Sequence, residues 1–380
     1  MSPADLEIIP VKSKKDFKDF VKFPYDFYKN DPHWIPPLYM ERMEALHPKK
    51  NPYYQHAQVQ LFLAKKNGKV VGRISAQIDF EYEKLYKKRL GQFGFFECEN
   101  NPETSHALFQ AAEQFLKQNG VQEIQGPFNF SINEETGLLI HGFDQPLVLM
   151  MPYNPPYYSS LIEQEGYKKI KDLYAWKYDI GEISPDAQHI ADEMKKHPGL
   201  IVRPINMKDL NNELRKIIDI LNSAWSENWG FVPFTESEIN KMAKDMKMFA
   251  DPNGILIAEL EGKPIAMVVM LPNIYDMISD LNGKLFPFGL FKLLWRIKKK
   301  KYKSGRMLLL GVKKEYRNTA LGGMSILLYA ESHRYGKEGN IQWGELSWTL
   351  EDNKAVNMGI EFMGGKRYKT FRIYQKEISS

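Results

Sequence analysis

One cysteine, Cys98, among 380 residues leaves no internal disulfide and no cysteine-rich metal cluster to be made within the chain, and it suits a reducing compartment. No stretch of about 18 apolar residues occurs, so the sequence predicts no transmembrane span. Met1 to Pro10 carries acidic residues and lacks the basic-then-apolar order of a secretory signal, so the expected location is the cytoplasm. No His-x-x-x-His pair or dense carboxylate cluster has usable ligand spacing, and no metal is expected. A net charge of +5 is too small to argue by itself for nucleic acid, and none is expected as a partner.

The composition that remains, 43% hydrophobic and 26% charged, is that of a globular protein, and the length suits two domains of roughly 150–200 residues each. A repeat organises them. Leu61 to Gly72 and Ile255 to Ala266 match in chemistry and order, and each reads as a strand hairpin turning at Asn67-Gly68 or Glu261-Gly262. Asn154 to Gly166 and Asn353 to Gly365 form a second pair, each read as an Asn N-cap, a helix of about ten residues and a closing Gly. The offsets of 194 and 199 residues nearly agree, so hairpin, strand, helix, strand, helix, strand recurs in both halves. Alternation of this kind predicts a mixed central sheet flanked by helices, an α/β (α+β) class. The expected domains are 1–182 and 200–380, joined by a linker at 183–199 that contains Pro185, Pro198 and Gly199 around a short charged helix.

The C-terminal half resembles the GCN5-related N-acetyltransferase (GNAT) superfamily throughout. Its marker is Arg317-Asn-Thr-Ala320-Leu-Gly322-Gly323, similar to that superfamily's Arg/Gln-x-x-Gly-x-Gly/Ala loop, with Ala320 in place of the first Gly. Free N–H groups at a helix start, with small residues nearby, suit the pyrophosphate of CoA. The resemblance therefore implies acyl-CoA as cosubstrate, with no permanently bound cofactor, and Arg317, Asn318, Ala320, Leu321, Gly322, Gly323 and Asn353 as its binding residues. In the first half the equivalent loop, Glu97 to Glu103, has Pro102 and three carboxylates, and is expected to bind no CoA. Asn101 and Pro102 read instead as a helix N-cap and first turn. Over nearly its whole length, on Asn30-Asp-Pro-His-Trp-Ile-Pro-Pro-Leu38, Gly126-Pro-Phe-Asn-Phe-Ser-Ile-Asn-Glu-Glu-Thr-Gly-Leu-Leu139, Gly142-Phe-Asp-Gln-Pro146 and Tyr153-Asn-Pro-Pro-Tyr-Tyr158, the chain resembles bacterial tandem-GNAT N-acyltransferases. Some of these are linked to sphingolipid synthesis, which implies a long-chain acyl group and a lipidic amine acceptor as candidates.

Acyl transfer needs a neutral amine, a polarised thioester carbonyl and a proton source for the leaving thiolate. The candidate bases are Glu345, on the strand Gln342 to Trp348, and Glu351 just beyond it. Alternation puts Glu345 and Ser347 on one face and Leu346 and Trp348 on the other. Either carboxylate is instead explained by solvation or pairing with lysine. Asn353 serves equally as N-cap, and Tyr368 is a weaker candidate for the thiolate acid. In the first half, Glu134 and His141 are further acid/base candidates. Asn129, Asn133 and Tyr157, with Trp348, are candidate substrate contacts.

An insertion at 273–304 exceeds a minimal GNAT unit. Phe288, Leu290, Phe291, Leu293, Leu294, Trp295 and Ile297 precede four consecutive lysines, Lys298 to Lys301. Residues 286–303 therefore suit contact with the inner face of the cytoplasmic membrane, a cap on an acyl-chain tunnel, or a helix packed on its own domain. Two other readings of the whole chain stay open: a non-catalytic lipid or peptide binder that keeps the fold, and an aminoacyl transferase of the FemX type, which the lack of a long heptad segment disfavours.

Overall fold

The computed structural model describes residues 6–317 and 319–378. The chain divides into two compact units: Met1–Leu173 with Ile278–Pro287 and Lys369–Ser380, and Tyr174–Met277 with Phe288–Tyr368. The strands in chain order are β1 (Leu6–Pro10), β2 (Ala57–Lys66), β3 (Lys69–Asp79), β4 (Gly91–Cys98), β5 (Glu123–Gly126), β6 (Phe128–Asn129), β7 (Glu135–Thr136) and β8 (Leu138–His141). They continue with β9 (Lys168–Asp179), β10 (Leu200–Pro204), β11 (Ile255–Leu260), β12 (Lys263–Pro272), β13 (Ser304–Val312), β14 (Trp343–Leu350) and β15 (Lys366–Glu377).

In the first unit β1, β2, β3 and β4 pair antiparallel in sequence, β5 runs parallel to β4, and the C-terminal part of β15 pairs antiparallel with both β5 and β8. In the second unit β10, β11, β12 and β13 repeat the antiparallel order and β14 runs parallel to β13. Beside β14 lies the second half of β9, where Trp176 Nε1 donates to Thr349 Oγ1 at 2.9 Å. Shared strand order is the structural counterpart of the sequence repeat. Both hairpin turns place two residues at positive φ, Asn67 (50°) with Gly68 (74°) and Glu261 (50°) with Gly262 (78°), as a two-residue loop matched to strand twist requires.

Helices cover both faces of each sheet. In the first unit, Pro102–Gln118 sends Leu108, Phe109, Ala112 and Leu116 into one core, while Phe20 and Val21 of Lys14–Phe27 fill the other. In the second, Met324–Glu338 covers one face and Leu210–Trp225 with Glu236–Phe249 the other. Each fully buried Leu, Ile or Phe contributes about 1.5–3 kcal/mol, so these stripes dominate the stability of both units.

Local chemistry explains most helix starts. Asn101 caps Pro102–Gln118 by accepting from Thr104 N, and Asn353 caps Lys354–Phe362 by accepting from Val356 N. Asn154 departs from the expected cap. Its helix begins at Tyr158, and the buried Asn154 side chain instead clamps Leu139, accepting from its N at 2.8 Å and donating to its O at 3.1 Å. Segment 183–199 carries the helix Pro185–Lys195, whose Ala187, Ala191 and Met194 are buried in the second unit's core. Within 273–304, Asp276 Oδ2 accepts from Lys303 N, Ser304 N and Ser304 Oγ at 2.7–2.8 Å, closing the base of the insertion onto β13.

Candidate active site

In the second unit the parallel ladder between β13 and β14 runs from Ser304 opposite Trp343 to Met307 opposite Leu346, then stops, although the strands extend to Val312 and Leu350. Beyond that register the strands part. The cleft so formed encloses about 580 Å³, part of it open to solvent, and is lined by Met307, Leu308, Leu346, Ser347, Trp348 and Asn353 among others. Strand atoms freed from the ladder are hydrogen-bonding groups that a ligand can satisfy.

Behind Ser347 lies a buried polar network. Glu345 is fully buried, and one of its oxygens accepts from Ser347 Oγ, the other from Tyr368 Oη. Arg306, opposite Glu345 in the β13–β14 register and 3% exposed, donates to Ser347 Oγ at 3.0 Å and Ser347 O at 3.2 Å, with its Nε 3.9 Å from Glu345. A carboxylate removed from water needs such donors and a countercharge to stay ionised. Burial pushes the Tyr368 hydroxyl far above its ordinary value, and the adjacent Glu345 charge adds to the rise, so this phenol stays protonated.

Next to the cleft, helix Met324–Glu338 starts at Gly323 without a side-chain cap; Gly322 N donates to Thr319 O and Met324 N to Leu321 O, and the other first-turn N–H groups are left for other acceptors. Leu321 N accepts no such role, since it donates to Thr319 Oγ1. Arg317 Nε donates to Val312 O at 2.9 Å and its Nη2 to Ala224 O at 2.5 Å, so the guanidinium ties the loop to neighbouring backbone. Gly323 owes its size to packing: a Cβ there would lie 2.9 Å from both Ile190 Cγ2 and Met194 Cγ of Pro185–Lys195. Ala320 and Gly322 are exposed. Asn318 lies outside the described residues.

The first unit has the same parting of strands, since its parallel register covers only Gly91 opposite Ile124 and Gln92 opposite Gln125. There the chain itself enters. Gln77 Nε2 donates to Phe128 O and Phe130 O at 2.9 and 3.0 Å, and Phe95 N donates to Asn129 Oδ1 at 2.6 Å. Contact is so close that a Cβ on Gly94 would stand 1.8 Å from Phe128 O.

No family model matches the chain. It is 43% identical over 380 residues to the bacterial ceramide synthase of Caulobacter vibrioides (strain NA1000 / CB15N), covering 99% of this chain and 98% of that protein. To Protein YghO of Escherichia coli (strain K12) it is also 43% identical, over 370 residues, 96% of this chain and 94% of that one. A solved tandem GNAT protein from the clavulanic acid biosynthesis pathway shares the fold, with a TM-score of 0.61 over 99% of both chains at 13% identity. The chain belongs to the bacterial tandem GNAT-like acyltransferase family.

Against that family fold, the second unit brings together Glu345, Trp348 and Asn353 of the residues singled out from sequence, with Ser347 and Tyr368. Glu351 lies half-buried in the turn after β14. Glu134, His141, Tyr157, Asn129 and Asn133 belong to the first unit. Glu134 accepts from Phe130 N, His141 is exposed at the end of β8, and Tyr157 Oη donates to Cys98 O at 2.8 Å. Asn129 sits in the filled gap, and Asn133 N donates to Ser131 Oγ. Arg306 is not singled out by the sequence, although a lone arginine directly before the apolar run Met307 to Leu310 is a visible signal. Among the described residues no helix is long and apolar enough to cross a membrane, and no group of three His, Cys, Asp or Glu is placed to hold a metal.

Proposed function

We propose that this acyltransferase is an acyl-CoA-dependent N-acyltransferase acting on a lipidic amine, with the second unit as its catalytic half. One observation carries the reading: Ser347 belongs both to the wall of the cleft and to the hydrogen-bonded shell of a buried carboxylate, Glu345. In this scheme the thioester arm lies between β13 and β14 beyond Leu346, its amides satisfied by unladdered strand groups. The pyrophosphate sits at the start of Met324–Glu338, on the loop that Arg317 braces.

The amine nitrogen attacks the thioester carbonyl carbon, the C–N bond forms, and collapse of the tetrahedral adduct breaks the C–S bond. The amine proton passes through Ser347 Oγ to Glu345 and is returned from there to the leaving CoA thiolate, so that amine and thioester become amide and free thiol and the carboxylate is regenerated. Arg306 fixes Ser347 through two hydrogen bonds, while Tyr368 holds the second Glu345 oxygen. A general base needs hydrogen-bond reach to the proton it removes, which a buried carboxylate gains only through such a relay. Likeness to a protein named bacterial ceramide synthase supports a sphingoid-type amine and a long acyl chain.

The test is incubation of the whole protein with palmitoyl-CoA and sphinganine, following thiol release and amide formation by mass spectrometry. Both products are expected. CoA binding without thiol release, across short and long acyl chains and several amines, would leave a binding protein and sink the transferase scheme.

A further inference from the structure

The helix Gly289–Lys298 carries two apolar stripes where one would suffice for packing. Leu290, Leu293 and Ile297, spaced three and four apart, form the less exposed stripe: Leu293 is 2% exposed and the other two are half-buried. A second stripe, Phe291, Leu294 and Trp295, preceded by Phe288, stands in solvent. These four are 72%, 45%, 54% and 77% exposed. Isolated exposed hydrophobes are ordinary, but four large ones on one helical face, two of them phenylalanines, mark an interaction surface.

Charge identifies the partner. Residues 288–303 contain seven Lys or Arg and no Asp or Glu. Lys300 pairs with Asp251 and Arg296 is engaged with Met277 O, while Lys298 at the helix end and Lys299, Lys301 and Lys303 just past it are exposed. Cations at a helix C-terminus are also favoured by its dipole. An aromatic face followed at once by a lysine cluster matches a lipid–water boundary, where rings enter the acyl margin and ammonium groups meet anionic headgroups. A protein partner would call for acidic side chains or a groove of its own to complement this surface, whereas an anionic bilayer complements both parts together.

We infer that residues 288–303 are a membrane-docking element that inserts Phe288, Phe291, Leu294 and Trp295 into the surface of an anionic bilayer. The inference does not depend on acyl transfer, since it concerns a surface and not the cleft.

Flotation of the full chain with vesicles tests it, comparing phosphatidylcholine alone with phosphatidylcholine mixed with phosphatidylglycerol. The protein is expected to float with the anionic vesicles, and high salt to release part of it. F288S/F291S/W295S should lower the partition coefficient about tenfold or more, and K298E/K299E/K301E should abolish the preference for anionic vesicles. All six side chains are exposed, so circular dichroism melts should match the wild type. Failure of the wild type to float with anionic vesicles, or equal flotation of the triple serine variant, overturns the inference. So does a dimer, seen by light scattering, that the serine variant dissociates without any change in flotation. Turnover of soluble acyl-CoA with a short amine should be unaffected by either variant, so this result and that of the transferase test are read separately.

Discussion

Both units part their parallel strand pair, but only one leaves the gap as a cleft. In the first unit β5 ends at Gly126, and the following residues turn straight into the opening, where Phe128 O and Asn129 Oδ1 take the hydrogen bonds that a ligand would otherwise make. In the second, β14 continues to Leu350 and the gap keeps Ser347 and Trp348 on its wall. The topology generates the opening in both cases. A handful of residues after the ladder decides whether it stays an open cleft or becomes a self-filled core.

Buried ion pairs extend the comparison. Arg73 on β3 stands beside Glu97 on β4, and Arg306 on β13 beside Glu345 on β14. In the first unit burial raises the Glu97 carboxyl in spite of the hydrogen bond from Arg73, whereas Glu345 is hydrogen-bonded to Ser347 on the cleft wall. Each pair holds a polar centre in its sheet, and only the second connects to a ligand-accessible wall.

The sharpest way to break this asymmetry is at the carboxylates. Glu345→Gln is expected to lower kcat by roughly 10²- to 10³-fold, measured by thiol release, while Glu134→Gln in the first unit changes it by less than about twofold. Equal losses would erase the division of labour. Next in size is a steric contrast. Gly94→Ala should cost more than about 3 kcal/mol in chemical denaturation, because its Cβ meets the backbone carbonyl of Phe128. Gly344→Ala, whose Cβ would find its nearest neighbour, Gly305 O, at 3.8 Å, should cost less than about 1 kcal/mol.

A smaller effect probes the open gap directly. Val356→Trp, on a helix that lines the cleft, should weaken acyl-CoA binding about tenfold by calorimetry while leaving the melting temperature nearly unchanged. The mildest is an acid titration of the second unit. Burial alone would raise the Glu213 carboxyl, but Arg203, Lys216 and Asn206 N outweigh it and hold it at about 2. Because the folded value is depressed, this group stabilises the fold above its unfolded value near 4.5, and that contribution disappears as pH falls from there toward about 2. Glu213→Gln should flatten the pH dependence of the unfolding midpoint in that window.

Much of this was legible in the sequence because it is local. Hairpin turns announce themselves through Asn67-Gly68 and Glu261-Gly262, helix starts through Asn101 and Asn353, and the face shared by Glu345 and Ser347 follows from period two. What stayed hidden depends on register or on distant chain. Arg306 meets Glu345 only through the parallel ladder, and Tyr368 reaches it from another strand. Asn154 looks like a cap, yet a distant backbone, that of Leu139, claims its amide. Nor does any local pattern say that Gly94 makes room for Phe128, since the two approach only after β4 and β5 have paired.

The last strand carries a consequence for how the protein is made. Residues 370–377 pair with β5 and β8 and count with the first unit, although they are synthesised after everything in the second. On the ribosome, then, the first unit must wait until the second has been made before its sheet is complete. Separating the chain near residue 190 would leave the first unit without residues 370–377, and deleting those residues would damage the unit whose other strands lie in the first half of the sequence.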